Sequence, residues 1–237
     1  MKHLNQMLRS LSAFCLPALF IAALLWRLSP SQTVYRTSAF VMPEAGILII
    51  DAGHGGEDGG AVSINGVHES QLNLAIGKKL DNLMVFFGVQ TLMLRDSDIS
   101  LHSTEANSVR EKKSSDLQNR VFIANSYPNA TLISIHQNTF PSASSRGAQV
   151  FYMDNSDGMA FALHAQFMLV KYLDPFNHRQ AAKTPHTVYL MNHVTCPAIL
   201  LECGFLSNAE ESKKLESESY QKKLVAILGA AYLTREV

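Results

Sequence analysis

Three short runs of mainly apolar residues, each followed by a side chain that can ionise, constrain the fold of this chain more than any other feature. The runs occupy residues 47–50, 131–135 and 198–201, and none alternates regularly between polar and apolar positions. Runs of this kind are typical of strands that are buried on both faces, as in a parallel sheet. We therefore predict a single α/β domain with a mostly parallel central sheet flanked by helices.

The ionisable residues that follow the runs are His54, His136 and Glu202, and Glu69 begins the helix that follows the first strand. Open α/β sheets bind ligands beyond the carboxyl ends of their strands, so these side chains are expected to lie near one another. Two imidazoles and a carboxylate match the protein ligands of a catalytic zinc ion that keeps its fourth position open. His54, Glu69 and His136 are therefore candidate metal ligands. Glu202 is a candidate general base, because a carboxylate after four apolar residues is expected to have a raised pKa.

Each of these residues also has an ordinary structural interpretation. A histidine in a loop is commonly exposed or hydrogen-bonded, and Glu69 in the first turn of a helix would complement the helix dipole. Glycines surround His54 in the loop 53–60, and a glycine-rich loop after a strand can cradle phosphate. The spacing matches no phosphate-binding pattern, no helix follows at once, and the next strand ends in Arg95, so nucleotide binding is not expected.

Apolar spacing predicts the remaining helices and strands. Residues 69–88 show three- and four-residue apolar spacing and are predicted to form an amphipathic helix, followed by a strand over residues 89–95. Residues 97–116 are polar and lack periodicity, so we interpret them as a solvated loop, with a lid over the cleft as the alternative. Further helices are predicted over residues 117–126, 159–172, 208–215 and 220–233, and further strands over residues 147–153 and 188–191.

Charge and cysteine content exclude two classes of protein. Lys plus Arg and Asp plus Glu number 20 each, so no global field favours binding to nucleic acid. The cysteines do not form a disulfide framework, because Cys15 lies in the apolar N-terminal run and a predicted strand separates Cys196 from Cys203 by about 20 Å. We interpret Cys196 and Cys203 as small buried apolar residues.

The N-terminus predicts export to the extracytoplasmic side of the membrane. Residues 1–28 combine the basic residues Lys2 and Arg9 with an apolar stretch over residues 11–26, which is typical of a signal-anchor or a cleaved signal peptide. The lack of a convincing small-residue cleavage site close behind this stretch favours the uncleaved anchor. Residues 29–45 are predicted to be a linker to a catalytic domain over residues 46–237. Under the positive-inside rule, this domain faces the outside of the membrane.

Four segments of the sequence, taken in order, resemble the zinc-dependent N-acetylmuramoyl-L-alanine amidases of the amidase type 3 family. They are residues 51–61 (DAGHGGEDGGA), Glu69, residues 134–138 (SIHQN) and residues 197–208 (PAILLECGFLSN). The resemblance implies that His54, Glu69 and His136 hold Zn²⁺ and that Glu202 is the catalytic carboxylate. It further implies a hydrolase that cleaves the amide between N-acetylmuramic acid and L-alanine in peptidoglycan.

Within that family, the chain length, the N-terminal apolar segment, the polar stretch 97–116 and residues 189–195 resemble the germination-specific amidases of spore-forming bacteria. This resemblance implies a role in forming muramic δ-lactam in the spore cortex, with a separate muramic acid deacetylase acting afterwards, and a location in the forespore envelope. The departures from the family pattern are Ala52, where proline is frequent, and Cys203, where an aliphatic residue is common. Cys203 beside Glu202 predicts sensitivity to thiol reagents. The alternatives are another zinc peptidase of peptidoglycan and a non-catalytic wall-binding module.

Overall fold

The central sheet is built around the three apolar runs. The computed structural model describes residues 46–153 and 155–235. The strands within these residues are β1 (Leu48–Ala52), β2 (Thr91–Met93), β3 (Thr131–Asn138), β4 (Gln149–Tyr152), β5 (Ala182–Lys183) and β6 (Ala198–Phe205). They form one sheet in the spatial order β2-β1-β3-β6-β4-β5. β1, β2, β3 and β6 run parallel, whereas β4 pairs antiparallel with β6 and parallel with β5.

The centre of the sheet is buried on both faces. β1 is buried at every position, and β3 and β6 are buried along most of their length. The register pairs Asp51 of β1 with Ser134 of β3, and His136 of β3 with Glu202 of β6. The two predicted site residues on β3 and β6 are therefore direct neighbours across the sheet.

Helices cover both faces of the sheet. They are α1 (Glu69–Phe86), α2 (Val109–Asn125), α3 (Ser156–Tyr172), α4 (Tyr189–His193), α5 (Ala209–Leu215) and α6 (Glu218–Leu233). Ile49 of β1 belongs to the same buried cluster as Ala124 of α2 and Leu190 of α4. The next residue, Ile50, faces the opposite side and lies against Gly77 of α1. α6 packs between α1 and α3 on that second face.

The predicted α/β fold with a mostly parallel sheet flanked by helices is confirmed. The interpretation of residues 97–116 as one loop is wrong in its second half, because α2 begins at Val109. The Ser108 side chain accepts a hydrogen bond from the Glu111 backbone, and the Glu111 carboxylate accepts one from the Ser108 backbone. This capping box stabilises a helix start in a charged segment whose sequence shows no helical periodicity.

The short strand predicted over residues 188–191 is also wrong. Residues 189–193 form α4 instead, and Leu190 and Met191 are buried in the core. A short apolar run does not distinguish a buried turn of helix from a strand. β5, which is two residues long, has no counterpart among the predicted strands.

The predicted N-terminal elements lie outside the described residues. They are the signal-anchor or signal peptide over residues 1–28 and the linker over residues 29–45, and both remain predictions. Within residues 46–153 and 155–235, no helix has both the length and the apolar character needed to cross a bilayer.

Candidate active site

The structure brings the four predicted site residues together at the carboxyl edge of the parallel strands. His54 lies in the loop after β1, Glu69 is the first residue of α1, and His136 and Glu202 lie on β3 and β6. One nitrogen of each histidine and one carboxylate oxygen of Glu69 all lie within 4.8 Å of one another. His54, His136 and Glu202 line one cleft of about 270 Å³.

The spacing of the candidate ligand atoms fits a small divalent cation. His54 Nε2 lies 3.3 Å from Glu69 Oε2, and His136 Nδ1 lies 3.0 Å from Glu69 Oε1. Ligand atoms bonded tetrahedrally to Zn²⁺ at about 2.0–2.1 Å are themselves about 3.3 Å apart. The donor atoms are therefore of the right type for a zinc site, and each imidazole lies close to this spacing from one of the two Glu69 oxygens.

Glu69 is held in place by protein donors besides the two site histidines. Its Oε2 accepts a hydrogen bond from the Ala61 backbone at 3.0 Å. Its Oε1 accepts hydrogen bonds from the Gln137 backbone at 3.0 Å and from Asn73 Nδ2 at 3.3 Å. Burial alone would raise the pKa of Glu69, but hydrogen bonds from the two histidines lower the pKa below its usual range. The carboxylate is therefore ionised and fixed in orientation.

His54 is oriented by Asp58, whose Oδ2 lies 3.0 Å from His54 Nδ1. A carboxylate on Nδ1 leaves the other ring nitrogen, Nε2, to face Glu69 and a metal ion. Burial alone would lower the pKa of His54, but hydrogen bonds to Asp58 and Glu69 raise the pKa to about 9. Without a metal ion the two carboxylates hold a proton on this ring, and a bound cation would take the place of that proton.

Glu202 has the properties of a proton-transfer group. Its Oε2 is buried and has no hydrogen-bond partner among the described residues. Burial raises the pKa of Glu202 to about 7, while His136 opposes this rise and Glu69 adds to it. A carboxyl group that titrates near neutral pH can both accept and donate a proton during turnover.

Two glycines allow these side chains to approach one another closely. A Cβ at Gly60, where φ is 68°, would lie 2.6 Å from Glu69 Oε2 and 2.8 Å from His54 Cδ2. A Cβ at Gly53 would lie 2.2 Å from Cε1 and Nε2 of His136. Any side chain at either position would displace a candidate ligand.

A family model described as N-acetylmuramoyl-L-alanine amidase matches residues 48–231. The chain belongs to this family. The four site residues of the amidase all lie within the matched range. The resemblance to the amidase type 3 family and the prediction of an amidase acting on peptidoglycan are therefore confirmed. The alternative of a non-catalytic wall-binding module is set aside.

Several characterised proteins are similar to the amidase. The germination-specific N-acetylmuramoyl-L-alanine amidase of Bacillus subtilis strain 168 is 35% identical over 181 residues, which span 76% of this chain and 75% of that relative. The CwlD amidase of Clostridioides difficile, solved in complex with the GerS lipoprotein, has 34% identity and a TM-score of 0.74, covering 79% of this chain and 96% of that one. An N-acetylmuramoyl-L-alanine amidase from Clostridium difficile 630 has 28% identity and a TM-score of 0.69, covering 81% of this chain and 97% of that one.

Sequence reasoning did not identify a buried ion pair beneath the site of the amidase. Arg120 pairs with Asp51, and Ser134 Oγ donates a 2.6 Å hydrogen bond to Asp51 Oδ2. Burial alone would raise the pKa of Asp51, but Arg120 and Ser134 help to lower the pKa below its usual range. A signal was available, because Asp51 follows four apolar residues and a buried charge requires a partner. Arg120 lies 69 positions away, and nothing in the sequence around it indicates that it is the partner of Asp51.

Cys196 and Cys203 of the amidase are free and buried, as predicted. Burial raises the pKa of the Cys203 thiol, so the reactive thiolate form is scarce. The expectation that Cys203 confers sensitivity to thiol reagents is therefore not supported.

Proposed function

We propose that the amidase binds one Zn²⁺ through His54, Glu69 and His136 and hydrolyses the amide between N-acetylmuramic acid and L-alanine, with Glu202 transferring the proton. The observation that carries this proposal is the convergence of three ligand atoms within 4.8 Å, in a cleft that Glu202 also lines. Two imidazoles and one carboxylate leave a fourth position for water or substrate, as in catalytic zinc sites.

The side chains of the site divide the chemistry between them. A zinc ion held there supplies Lewis-acid chemistry, polarising the amide carbonyl and lowering the pKa of water. Glu202 takes the proton from the attacking water, because its pKa of about 7 leaves much of it ionised at neutral pH. Glu202 then returns this proton to the departing L-alanine nitrogen, which leaves as a free amine. Asp58 keeps the His54 ring in one orientation throughout.

The walls of the cleft suit a peptide attached to a glycan. Lys113 and Leu117 of α2 lie along one side, and Val188 and Tyr189 near the start of α4 also line the cleft. Lys113 is more than half exposed, and its ammonium group pairs with Asp58 Oδ2 at 3.3 Å, so it places a positive charge at the rim of the cleft where a stem-peptide carboxylate would approach. The apolar residues offer surface to the peptide backbone and the lactyl methyl group.

We also propose that residues 46–237 form the catalytic domain outside the cytoplasm, tethered by a linker over residues 29–45 to an anchor over residues 1–28. The similarity to the germination-specific amidase of Bacillus subtilis supports a role in germination, and we propose that this role is muramic δ-lactam formation in the spore cortex. A separate muramic acid deacetylase would act on the product. Muropeptide analysis of a deletion strain tests this role: loss of muramic δ-lactam supports it, and an unchanged cortex contradicts it.

Replacement of Glu202 by glutamine tests the chemistry. Glu202→Gln keeps the size of the side chain but cannot accept the proton, so the rate is expected to fall on the order of 10²–10⁴-fold with the zinc content unchanged. Glu210→Gln is the matched control, because Glu210 lies exposed in the first turn of α5. A Glu202→Gln enzyme that works at the wild-type rate would contradict the proposed role.

The products identify the bond that is cut. Mass spectrometry of digested sacculi is expected to reveal intact stem peptides that begin with a free L-alanine amine. Peptides cut within the stem would instead support the alternative of a zinc peptidase of peptidoglycan. Zinc analysis of His54→Ala gives the independent test of the metal site, because loss of one of three ligands is expected to remove most of the bound zinc.

A further inference from the structure

Two buried arginines hold the loop that carries His54. Arg95 follows β2 and Arg120 lies in α2, and each side chain is 2% exposed. Arg95 Nε donates to the Ala52 carbonyl at 2.7 Å, and its Nη2 donates to the Gly53 carbonyl at 3.1 Å. Arg120 Nη1 donates to the Ala52 carbonyl at 3.1 Å, and its Nη2 donates to the His54 carbonyl at 2.8 Å. Two guanidinium groups therefore hold three consecutive carbonyls.

The backbone at His54 needs this support. Among the described residues, His54 is the one non-glycine residue with a positive φ, which is 62°. A side chain in the left-handed region is strained, and such a conformation persists only where its surroundings over-determine it. The same residue carries the imidazole that faces Glu69 and His136. The bonds from Arg95 and Arg120 thus fix the backbone that directs a candidate metal ligand.

The two arginines also join this loop to other elements of the site. Arg95 Nη2 donates to the Ser70 carbonyl at 2.8 Å, in the first turn of α1. Arg120 Nε donates to Asp116 Oδ2 at 2.7 Å, and its ion pair with Asp51 reaches β1. The loop, α1, α2 and β1 are therefore connected through one pair of cations.

Arg120 has no donor left for a substrate, although it lines the cleft. An arginine has five N–H donors. Those of Arg120 bond Asp116 through Nε and Nη2, Asp51 and the Ala52 carbonyl through Nη1, and the His54 carbonyl through Nη2. This full set of internal partners distinguishes Arg120 from an arginine that binds substrate carboxylates.

We propose that Arg95 and Arg120 are positioning residues that preset His54 for metal binding. The inference rests on the proposed function, because it assigns to both side chains the orientation of a zinc ligand. The guanidinium group is required rather than an ammonium group: a planar fork reaches two carbonyls at once, whereas lysine offers one compact point of contact.

Arg95→Lys and Arg120→Lys test the inference, because they keep the charge and remove the fork. The zinc dissociation constant is measured by competition with a chromophoric chelator, and the Co²⁺-loaded proteins are compared by visible absorption. We expect the zinc dissociation constant to rise roughly 10–100-fold in each variant, the range typical of groups that support metal ligands. We also expect a changed cobalt spectrum, and neither readout depends on enzymatic activity.

Leu224→Ala is the control for a loss of stability alone. Leu224 is fully buried on α6, which packs against α1 and α3 on the face opposite to α2, and it is not among the residues that line the cleft, so this variant is expected to lower Tm without changing the residues of the site. Its zinc dissociation constant is expected to stay within about twofold of the wild-type value. For a lysine variant that is only marginally folded, the zinc-dependent rise in Tm gives the same constant.

The possible results distinguish failure of the positioning role of Arg95 and Arg120 from failure of zinc binding itself. Lysine variants that bind zinc as the Leu224→Ala control does, with an unchanged cobalt spectrum, would overturn the inference and leave Arg95 and Arg120 with a purely structural role. A wild-type protein that binds no zinc would overturn the proposed function itself, and the inference with it.

Discussion

Alanine at Gly53 is expected to disable the site by moving His136. A Cβ at Gly53 would lie 2.2 Å from both Cε1 and Nε2 of the His136 ring. Ordinary van der Waals contact begins near 3.4 Å, so the ring must move by about 1.2 Å, the difference between the two distances. The backbone of Gly53 lies outside the left-handed region, so alanine adds this clash without adding backbone strain.

A displacement of this size exceeds what a metal ligand tolerates. His136 Nδ1 lies 3.0 Å from Glu69 Oε1, and zinc–nitrogen bonds of about 2.0–2.1 Å leave little freedom for the ring. A misplacement of about 1 Å in a catalytic site costs about 10²-fold in rate. We therefore expect Gly53→Ala to lower kcat/KM by about 10²-fold or more and to lower the zinc content of the purified enzyme.

The assay is the release of stem peptides from purified muropeptides, with zinc measured on the same preparations. Gly77→Ala is the matched control, because a Cβ there meets its nearest neighbour, Met93 Cε, at 3.4 Å. Gly77 lies inside α1, where alanine is favoured over glycine by roughly 0.5–1 kcal/mol. A Gly53→Ala enzyme with full zinc and the activity of the Gly77→Ala control would refute the reasoning, since His136 would then not be fixed above Gly53.

Glu202, Cys203 and the cap of α2 provide three further tests. Burial raises the pKa of Glu202 from 4.5 to about 7 in the metal-free protein and a bound cation lowers it from there, so kcat/KM of the zinc-loaded enzyme is expected to fall as the pH drops from about 7 towards 4.5; an acid limb centred above pH 7 would contradict this. Because Cys203 is fully buried, labelling by a thiol reagent at this position is expected to be much slower in native enzyme than in urea-unfolded enzyme, as followed by peptide mass spectrometry. Ser108→Ala removes the capping box of α2, so urea denaturation is expected to show a loss of about 1 kcal/mol in the free energy of unfolding with kcat/KM little changed.

The central strands are predictable from the sequence because burial on both faces leaves apolar runs. A polar side chain is excluded from such a strand unless it has a partner, so ionisable residues collect where the strand leaves the core. His136 and Glu202 follow this rule, and their pairing across β3 and β6 explains why both reach one cleft. Asp51 departs from the rule, and its buried partner Arg120 is the reason that it can.

The start of α2 is not predictable from periodicity because the helix buries a charged residue. Arg120 and Ala124 are the buried residues of α2, so the inward face offers little apolar pattern. Apolar spacing detects a helix only when apolar side chains occupy the buried positions. The capping pair Ser108 and Glu111 was the remaining indication of a helix start. It lies within a charged stretch that was interpreted as a solvent-exposed loop.

The hydrogen bonds that hold the site residues in place are also not predictable from the sequence. Arg95 bonds a carbonyl 43 positions away, and Arg120 bonds one 66 positions away. The Gln137 backbone reaches Glu69 across 68 positions. No local pattern relates residues so far apart, so the sequence predicted which side chains could bind a metal ion but not which groups hold them in place.

The charge of the site is compatible with the divalent cation of the proposed mechanism. Asp58, Glu69 and Glu202 place three carboxylates around two imidazoles. A proton on His54 satisfies Asp58 and Glu69, yet within residues 46–153 and 155–235 Glu202 Oε2 still has no hydrogen-bond partner. A cation held by His54, Glu69 and His136 replaces that proton, adds a further unit of positive charge and so lowers the pKa of Glu202. In the proposed mechanism, metal binding therefore also keeps the base ionised at neutral pH.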